Sequence, residues 1–471
     1  MPRKKRTNEI IENVAVIDIA DDGKAVGKVG DLVVFVSHAV PGDVVDVRVT
    51  KKHRRYVETF PARFIKYSDL RVEPFCSHFA FCGGCNWQDL NYNQQLVFKH
   101  KNVVDCFTRI GKFEFPTIAP LLAASPTTLY RNKLEFTFSV SRWLTDEEIN
   151  SESEISNRSA LGFHIPGRFD KVLDIERCHL QPEPSNAIRN AIRDFALQEN
   201  IPFYDLRSHN GYLRTLIIRT SSTGEVMVII CFQHDDDEMR EKVLSFIWKR
   251  FPEVNSLMYV INPKMNDSIA DLEVMLYAGK SFIMEEMEGM KFKLGPKSFY
   301  QTNSAQAYEL YKIIRDFAGL SGDEVVYDLY TGTGTIANFI ARGVKKVIGV
   351  EYVGEAVEDA KYNSIINGIR NTFFYDGDMK DVFNIEFIQQ HGTPDVVILD
   401  PPRAGIHPKV IDALLLAMPK KIIYVSCNPA SQARDLSLMQ ESYRIVAVQP
   451  VDMFPHTHHV ENVVLLERPE I

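Results

Sequence analysis

From about Ser304 onward, short apolar runs of strand length alternate with stretches of helical periodicity. The strand-like runs are Glu324–Leu329, Lys345–Glu351, Thr372–Asp376, Asp395–Asp400 and Lys421–Ser426, and helices are predicted to begin at Gly334, Glu355, Pro408 and Pro429. Strands and helices that alternate at this spacing form βαβ units, which build a doubly wound parallel sheet. The sequence therefore predicts an α/β, Rossmann-like domain over residues 296–471.

The last two apolar runs, Arg444–Val448 and Glu461–Leu466, lie too close together in sequence for a crossover helix between them. Such neighbours pair in antiparallel fashion, so we expect an antiparallel pair at one edge of the sheet. The second of these strands then begins at the carboxyl edge of the parallel strands. This topology delivers Glu461 to that edge.

Two more domains are predicted upstream, because 471 residues exceed what one hydrophobic core usually serves. Within residues 1–70, short alternating runs broken by glycine turns (Val14–Ile19, Asp31–Val36, Asp43–Thr50) predict a small OB-like β-barrel. Residues 71–295 begin with a group of cysteines and then mix strand-like with helical patterns. They predict an α+β domain, with Thr145–Ser159 as an exposed loop.

Composition narrows the class of protein. No apolar run is long enough for a transmembrane helix, and the basic start leads into no signal-peptide core. We expect a cytoplasmic protein that binds no membrane and acts as a monomer. The net charge is −8, but basic residues cluster at Arg3–Arg6 and Lys51–Tyr56. These clusters are either solvated faces or contacts to RNA phosphates.

A glycine turn follows the first strand of the α/β domain, in the segment Asp328-Leu-Tyr-Thr-Gly332-Thr-Gly334. Glycines let the backbone approach a ligand, and the helix that follows offers free N–H groups. Glu351 ends the next strand, where a carboxylate accepts hydrogen bonds from ribose hydroxyls. The pattern also fits a dinucleotide site or a plain tight loop. Asp328 before the turn and the Asp-Pro-Pro after the fourth strand favour S-adenosylmethionine.

Three reactive side chains are predicted to meet at this edge. Asp400 ends one strand, Cys427 (in Ser-Cys-Asn-Pro) ends the next, and Glu461 begins the antiparallel strand. In a parallel sheet these positions lie beside the cofactor crevice. Read singly, Cys427 fits an inert strand-end thiol and Glu461 a surface carboxylate. Their convergence from three separate chain positions predicts a reaction site.

The motifs together resemble those of a known family. They are, in order, Cys76-x5-Cys82-Gly-Gly-Cys85, Asp328-x3-Gly-x-Gly, Asp400-Pro-Pro-Arg, Ser426-Cys-Asn-Pro and His459-Val-Glu461. This set resembles the bacterial RNA uracil-5 methyltransferases, most closely the iron–sulfur 23S rRNA enzymes, from about residue 10 to the C-terminus. The resemblance implies an RNA-binding TRAM domain for the N-terminal barrel and S-adenosylmethionine as cofactor.

The resemblance also implies roles for single residues. Cys427 is the implied nucleophile and Glu461 the implied proton-abstracting base, while Tyr130–Lys133 resembles the family's substrate-binding stretch. The implied cofactor contacts are Gln301, Tyr330, Glu351 and Asp400, with Asp378 near the adenine. Thr331 departs from many relatives, which have cysteine there.

The residues suit that chemistry. Carbon 5 of uracil is a weak nucleophile, and a thiolate added at carbon 6 makes it enolate-like, so that it attacks a sulfonium methyl group. A base must then remove the carbon-5 proton before the cysteine leaves. A thiolate ionised near neutrality suits the first step and a carboxylate the second.

The cysteine group predicts a metal site. Cys76, Cys82, Cys85 and a distant fourth cysteine suit either zinc or a [4Fe–4S] cluster, because both use four thiolates. The resemblance implies Cys178 as the fourth ligand and favours iron–sulfur over zinc. Cys106 and Cys231 lie in apolar patterns and are predicted to be core residues.

The prediction is thus methylation of uracil carbon 5 in 23S rRNA, with tRNA as the alternative substrate. Two other classes compete with it. A non-catalytic iron–sulfur RNA-binding protein would not need Cys427, Glu461 and the cofactor loop together. An amino methyltransferase of nucleic acids would need no cysteine, and typically has an aromatic residue where Arg403 stands.

Overall fold

The computed structural model describes residues 9–151 and 157–469. Its first strands are β1 (Ile10–Ile19), β2 (Ala25–Val29), β3 (Leu32–Val36), β4 (Val44–Lys52) and β5 (Tyr56–Lys66). They form a closed barrel in the order β1-β2-β3-β5-β4, filled mainly by buried valines. The predicted N-terminal barrel is confirmed. The basic cluster Arg3–Arg6 lies outside the described residues.

The middle of the chain builds a seven-stranded sheet in the order β12-β11-β10-β9-β6-β7-β8. Helix α1 (Tyr92–Cys106) precedes it and ends in a π-helical turn, Phe107–Gly111. The further elements are β6 (Lys133–Ser139), α2 (Asp146–Asn150), β7 (Ala160–Ile165), β8 (Arg168–Asp174), α3 (Ser185–Gln198), β9 (Leu213–Thr220), β10 (Val226–Phe232), α4 (Asp237–Arg250), β11 (Val254–Ile261) and β12 (Met275–Gly279). A hairpin of β13 (Ile283–Met287) and β14 (Met290–Leu294) follows.

The segment predicted as a loop, Thr145–Ser159, contains the short helix α2. Thr145 accepts a hydrogen bond from the Glu148 amide, and the Glu148 carboxylate accepts one from the Thr145 amide. This capping box stabilises a helix start, which explains the difference from the prediction. Residues 152–156 of the segment lie outside the described residues.

The C-terminal part forms the predicted doubly wound sheet, in the order β17-β16-β15-β18-β19-β21-β20. Its elements are α5 (Ser304–Ala318), β15 (Val325–Leu329), α6 (Thr335–Ile340), a 3-10 turn (Ala341–Gly343), β16 (Lys346–Glu351), α7 (Gly354–Ile366), β17 (Thr372–Asp376), α8 (Met379–Val382), α9 (Ile385–His391), β18 (Val396–Leu399), α10 (Pro408–Ala417), β19 (Lys421–Ser426), α11 (Pro429–Met439), β20 (Arg444–Val451) and β21 (Glu461–Glu467). Strand β21 runs antiparallel to both β19 and β20, as predicted.

One hydrophobic core joins the two large sheets. Apolar residues of β9 and β10, such as Ile217 and Ile229, belong to the same buried cluster as Leu310 of α5 and Val463 of β21. The central sheet therefore supports the C-terminal sheet directly. Among the helices of the described residues, none is both long and apolar enough to cross a membrane.

Candidate active site

The carboxyl edge of the parallel strands brings the predicted reactive residues together. Asp400 follows β18 and Cys427 follows β19, and these strands pair in parallel. Ser426 pairs with Asn462 across β19 and β21, so Glu461 lies beside Cys427. All three side chains line one cavity of about 1580 Å³. The predicted convergence of Asp400, Cys427 and Glu461 is therefore present.

The glycine turn after β15 forms another wall of this cavity. Gly332 has a φ of +55° and its α-carbon faces open space, so its backbone is accessible to a ligand. The Gly332 amide donates to Glu351 Oε2 at 3.0 Å, and the Val353 amide donates to Glu351 Oε1 at 3.0 Å. Glu351 therefore fixes the turn while it lines the cavity.

Gly334, at φ +70°, packs closely where Gly332 does not. A β-carbon there would lie 2.7 Å from the Ala360 β-carbon and 3.0 Å from the Phe374 ring. We expect Gly334→Ala to destabilise the fold by about 1–3 kcal/mol and to weaken cofactor binding, because it adds a clash to backbone strain. Gly332→Ala is the matched control, with the same unfavourable φ but no clash. Thermal unfolding measures both, and equal losses in the two variants would contradict the steric argument.

Asp328 does not face the cavity, although its place before the glycine turn suggested that it would face the cofactor. It is fully buried and does not line the cavity; its Oδ2 accepts from the Thr331 hydroxyl at 2.5 Å and from the Ala337 amide at 3.1 Å. The carboxyl group therefore holds the glycine turn and the start of α6. Thr331 was noted in the sequence only as a departure from many relatives, but its hydroxyl helps to fix the turn.

Burial dominates the electrostatics of the cavity. It raises the pKa of Asp400 to about 7 and that of Glu461 well above its usual range, with Asp400 adding to the rise at Glu461. Burial, followed by the charge of Glu461, raises the pKa of the Cys427 thiol to about 11. The positive charge of the Arg403 guanidinium opposes the rise in pKa at Cys427 and at Glu461. Burial and the charge of Glu461 together work against ionisation of the thiol, which the sequence predicts near neutrality.

The remaining predicted cofactor contacts lie around the same cavity. They are Gln301, Tyr330 and Asp378. Tyr330 has a φ of +68°, a left-handed conformation that is uncommon outside glycine. Asp378 begins helix α8 and forms an ion pair with Lys380 at 2.6 Å, which lowers the pKa of the carboxyl. The structure thus gathers all seven predicted catalytic and cofactor residues at one cavity.

Cys427 also lines a second, smaller cleft. This cleft is bounded by Asp21 and Asp22 of the barrel, by Arg403, and by His458 and His459. Arg403 Nη2 lies 3.5 Å from His459 Nδ1. The barrel therefore reaches the Cys427 side of the site. Arg403 and His459 belong to motifs quoted from the sequence, but their meeting with Asp21 and Asp22 was missed, because only the packing of distant segments brings them together.

The four predicted metal ligands line a separate pocket. They are Cys76, Cys82, Cys85 and Cys178, and all are free thiols. Burial raises the pKa of Cys82 to about 12, and the charges of the other three cysteines add to the rise. Within residues 9–151 and 157–469, no group of His, Cys, Asp and Glu side chains is arranged to hold a metal ion.

The stretch Tyr130–Lys133 lies between the two sites. Asn132 donates to the Gln301 carbonyl and to the Ser304 hydroxyl, both at 2.9 Å. Arg131 lines the cysteine pocket, and its guanidinium lies 5.3 Å from the ring centre of Phe454, which lines the large cavity. The stretch is thus in direct contact with both.

Comparison with known proteins identifies the family. Residues 276–469 match the family described as tRNA (Uracil-5-)-methyltransferase, and residues 7–59 match the TRAM domain. An uncharacterized RNA methyltransferase of Bacteroides thetaiotaomicron is 59% identical over 452 residues, which cover 95% of this chain and 100% of the relative. The chain belongs to the RNA uracil-5 methyltransferase family. It is thus a member of a family of S-adenosylmethionine-dependent RNA-modifying enzymes.

Two further similarities extend along this methyltransferase. An uncharacterized RNA methyltransferase of Porphyromonas gingivalis is 56% identical over 460 residues, covering 96% of this chain and 99% of the relative. The crystal structure of the Pyrococcus abyssi tRNA (uracil-54, C5)-methyltransferase in complex with S-adenosyl-L-homocysteine superposes with a TM-score of 0.73 at 27% identity. That match covers 96% of this chain and 99% of the archaeal chain. The whole architecture is shared, and the family resemblance seen in the motifs is confirmed.

Proposed function

We propose that this methyltransferase transfers a methyl group from S-adenosylmethionine to carbon 5 of a uridine in 23S rRNA, giving 5-methyluridine. One observation supports the reaction above the others. A free thiol, Cys427, and two carboxyl groups, those of half-buried Asp400 and buried Glu461, line the same cavity as the open glycine turn. A thiol, a base and a cofactor wall are the parts that this chemistry needs.

Cys427 is the proposed nucleophile. The thiol first loses its proton to solvent. Its Sγ then forms a bond to carbon 6 of the uracil, and the electrons of the carbon 5–carbon 6 double bond move toward the O4 carbonyl, so that carbon 5 becomes nucleophilic. Carbon 5 then takes the methyl group, which leaves S-adenosyl-L-homocysteine as the other product. Burial raises the pKa of the thiol to about 11, and positive charge beside Asp400 and Glu461 would favour the thiolate.

Glu461 is the proposed base for the last step. After carbon 5 has been methylated, Glu461 removes its proton, the double bond re-forms, and the bond from carbon 6 to Sγ breaks. Burial raises the pKa of Glu461, and a carboxyl group whose pKa lies nearer neutrality is a more effective proton acceptor. Arg403 opposes that rise and supports ionisation of Glu461 when the base has to act.

The chain's donor set fits the cofactor. S-adenosylmethionine supplies an electrophilic methyl group on a cationic sulfur. Glu351, at the end of β16, would accept hydrogen bonds from the ribose hydroxyls, and Asp378, which lines the same cavity, would lie near the adenine. Gln301, Tyr330 and Asp400 complete the proposed contacts. The exposed backbone of Gly332 allows the ligand a close approach.

Cofactor binding is expected to release protons. Burial raises the pKa of Asp400 to about 7, so the folded protein keeps a proton there that the unfolded chain has already lost. The resulting stability is present at low pH and is lost as the pH rises through 7. A bound cation favours the ionised carboxylate, so affinity for S-adenosylmethionine should increase from pH 6 to pH 8. Calorimetry at pH 6 in buffers of different ionisation enthalpy measures the release, and no net release would contradict this assignment.

The RNA substrate is the finer part of the proposal. The proposed domains are the barrel (1–70), the central domain with the cysteine pocket (71–295) and the methyltransferase domain (296–471). This combination resembles the iron–sulfur rRNA enzymes and therefore favours 23S rRNA. The Pyrococcus abyssi tRNA enzyme, similar over almost its whole length, favours tRNA as the second candidate. Total RNA from a deletion strain, methylated in vitro and mapped for every uridine that gains a methyl group, decides between them. Methyl groups found only in tRNA would contradict the rRNA assignment.

We also propose a [4Fe–4S] cluster on Cys76, Cys82, Cys85 and Cys178. Four free thiols around one pocket are the donor set of such a cluster. A structural role is favoured, because methyl transfer to uracil involves no oxidation or reduction. Anaerobically purified protein should absorb near 400 nm. Zinc without that absorbance would instead support the alternative metal.

A further inference from the structure

The loop between β20 and β21, residues Asp452–Val460, leads directly into Glu461; we refer to it as the clasped loop. Four consecutive carbonyl oxygens of this loop, from Met453 to His456, each accept a hydrogen bond from a donor outside it. The donors, in order, are Asn303 Nδ2 at 2.9 Å, Lys99 Nζ at 3.0 Å, the Tyr130 hydroxyl at 3.1 Å, and the amides of Asn86 and Trp87 at 2.9 and 3.1 Å. A loop held at every one of these carbonyls has little freedom to move.

The clasped loop makes its most closely spaced contacts around His456. This residue has a φ of +65°, a strained conformation for a side chain of its size. Fully buried Gln95 accepts from the His456 amide at 2.9 Å, and its Nε2 lies 3.3 Å from His456 Nδ1. The same Nε2 donates to the carbonyls of Trp87 and Leu90. Strain of this kind persists only where surrounding contacts over-determine it.

A buried ion pair secures the start of the loop. Lys99 Nζ and Asp452 Oδ1 lie 2.6 Å apart, and both side chains are completely inaccessible to solvent. The Tyr92 hydroxyl donates to the other oxygen, Asp452 Oδ2, at 2.7 Å. Tyr92, Gln95 and Lys99 are all on helix α1. One helix thus fixes both the start and the turn of the clasped loop.

The cysteine segment, residues Cys76–Trp87, contacts the loop as well. Asn86 and Trp87, which donate to the His456 carbonyl, directly follow Cys85. The Phe75 ring packs edge-on against the His456 ring with centroids 5.1 Å apart. His456 precedes Glu461 by five residues. Residues at, or next to, both ends of the cysteine segment therefore contact the loop within five residues of Glu461.

We infer that the clasped loop fixes the position of Glu461, and that Gln95 is a positioning residue which ties this loop to the cysteine segment. The inference rests on the proposed role of Glu461. Displacing a catalytic group by about 1 Å can cost 10²-fold in rate. The cysteine segment, far from the methyl transfer itself, thereby governs proton removal from carbon 5.

The test compares Gln95→Leu with Gln94→Leu, the same change at the half-buried neighbouring position. In Gln95→Leu, amide hydrogen exchange across residues 452–460 should become at least about tenfold faster, kcat should fall by about 10- to 100-fold, and the covalent enzyme–RNA adduct should live longer. KM for S-adenosylmethionine should stay unchanged, and Gln94→Leu should resemble the parent. A fall in kcat without faster exchange in the loop would overturn the inference, as would faster exchange with unchanged adduct lifetime.

Two milder substitutions test the same inference in case Gln95→Leu does not fold. Tyr130→Phe removes one hydroxyl that donates to the Pro455 carbonyl and keeps the ring. It should give the same pattern as Gln95→Leu, but weaker. Cys85→Ser should speed exchange at residues 454–457, and unchanged exchange there would refute the link to the cysteine segment. If the parent protein forms no covalent adduct, the proposed function fails, whereas the exchange data still test the clasp by themselves.

Discussion

Cys427→Ala is expected to abolish methylation, with kcat lowered by about 10⁴-fold or more, because the variant cannot activate carbon 5. RNA containing 5-fluorouridine should trap the parent protein as a covalent adduct, since fluorine at carbon 5 cannot be removed as a proton. The variant should form no such adduct. Denaturing gel electrophoresis of the protein with labelled RNA measures the trapping.

The control for this variant is Cys106→Ala, the same change in a thiol that is buried at the end of α1 and lines the smaller cleft beside Cys427. It should retain trapping and most of the activity. Both variants should bind S-adenosylmethionine as the parent does, because neither thiol supplies a cofactor contact in the proposal. Trapping by Cys427→Ala would exclude Cys427 as the nucleophile.

Glu461→Gln should have the second largest effect and a different signature. Attack by Cys427 and methylation of carbon 5 both precede removal of the carbon-5 proton, so the variant should stop at the methylated adduct. Steady-state turnover should fall by about 10²- to 10⁴-fold, the usual range for loss of a general base. With RNA that contains no fluorouridine, mass spectrometry of the trapped peptide should find a methylated uracil attached to Cys427.

Glu467→Gln, at the far end of the same strand β21, is the matched control and should leave turnover unchanged. Burial raises the pKa of Glu461, so its carboxyl group is neutral over a pH range in which an exposed glutamate is ionised. A neutral amide is therefore a close substitute, and the melting temperature of Glu461→Gln should stay within a few degrees of the parent. Full turnover by this variant would assign proton removal to another group.

Local patterns sufficed for much of the fold. The alternation after Ser304 predicts the doubly wound sheet, and the short connection before Glu461 predicts its antiparallel pair of strands. Helix α2 is the exception, although its signal is local too. Thr145 and Glu148 have capping-box spacing, and reading that pair would have predicted the helix.

The site was predictable where topology determines it and not where packing does. The ends of parallel strands meet at one edge, which is why Asp400 and Cys427 could be assigned to one cavity from sequence. The clasp could not, since Gln95 and His456 are 361 residues apart. The raised pKa of Cys427 was missed for a similar reason, because it depends on how deeply Glu461 and the thiol are buried together.

The location of Cys427 between two openings bears on the order of events in a catalytic cycle. The thiol lines the large cavity with the proposed cofactor residues on one side, and on the other the cleft bounded by the barrel residues Asp21 and Asp22. Two openings at one thiol would let cofactor and RNA reach Cys427 from separate sides, so we expect that neither ligand has to bind first.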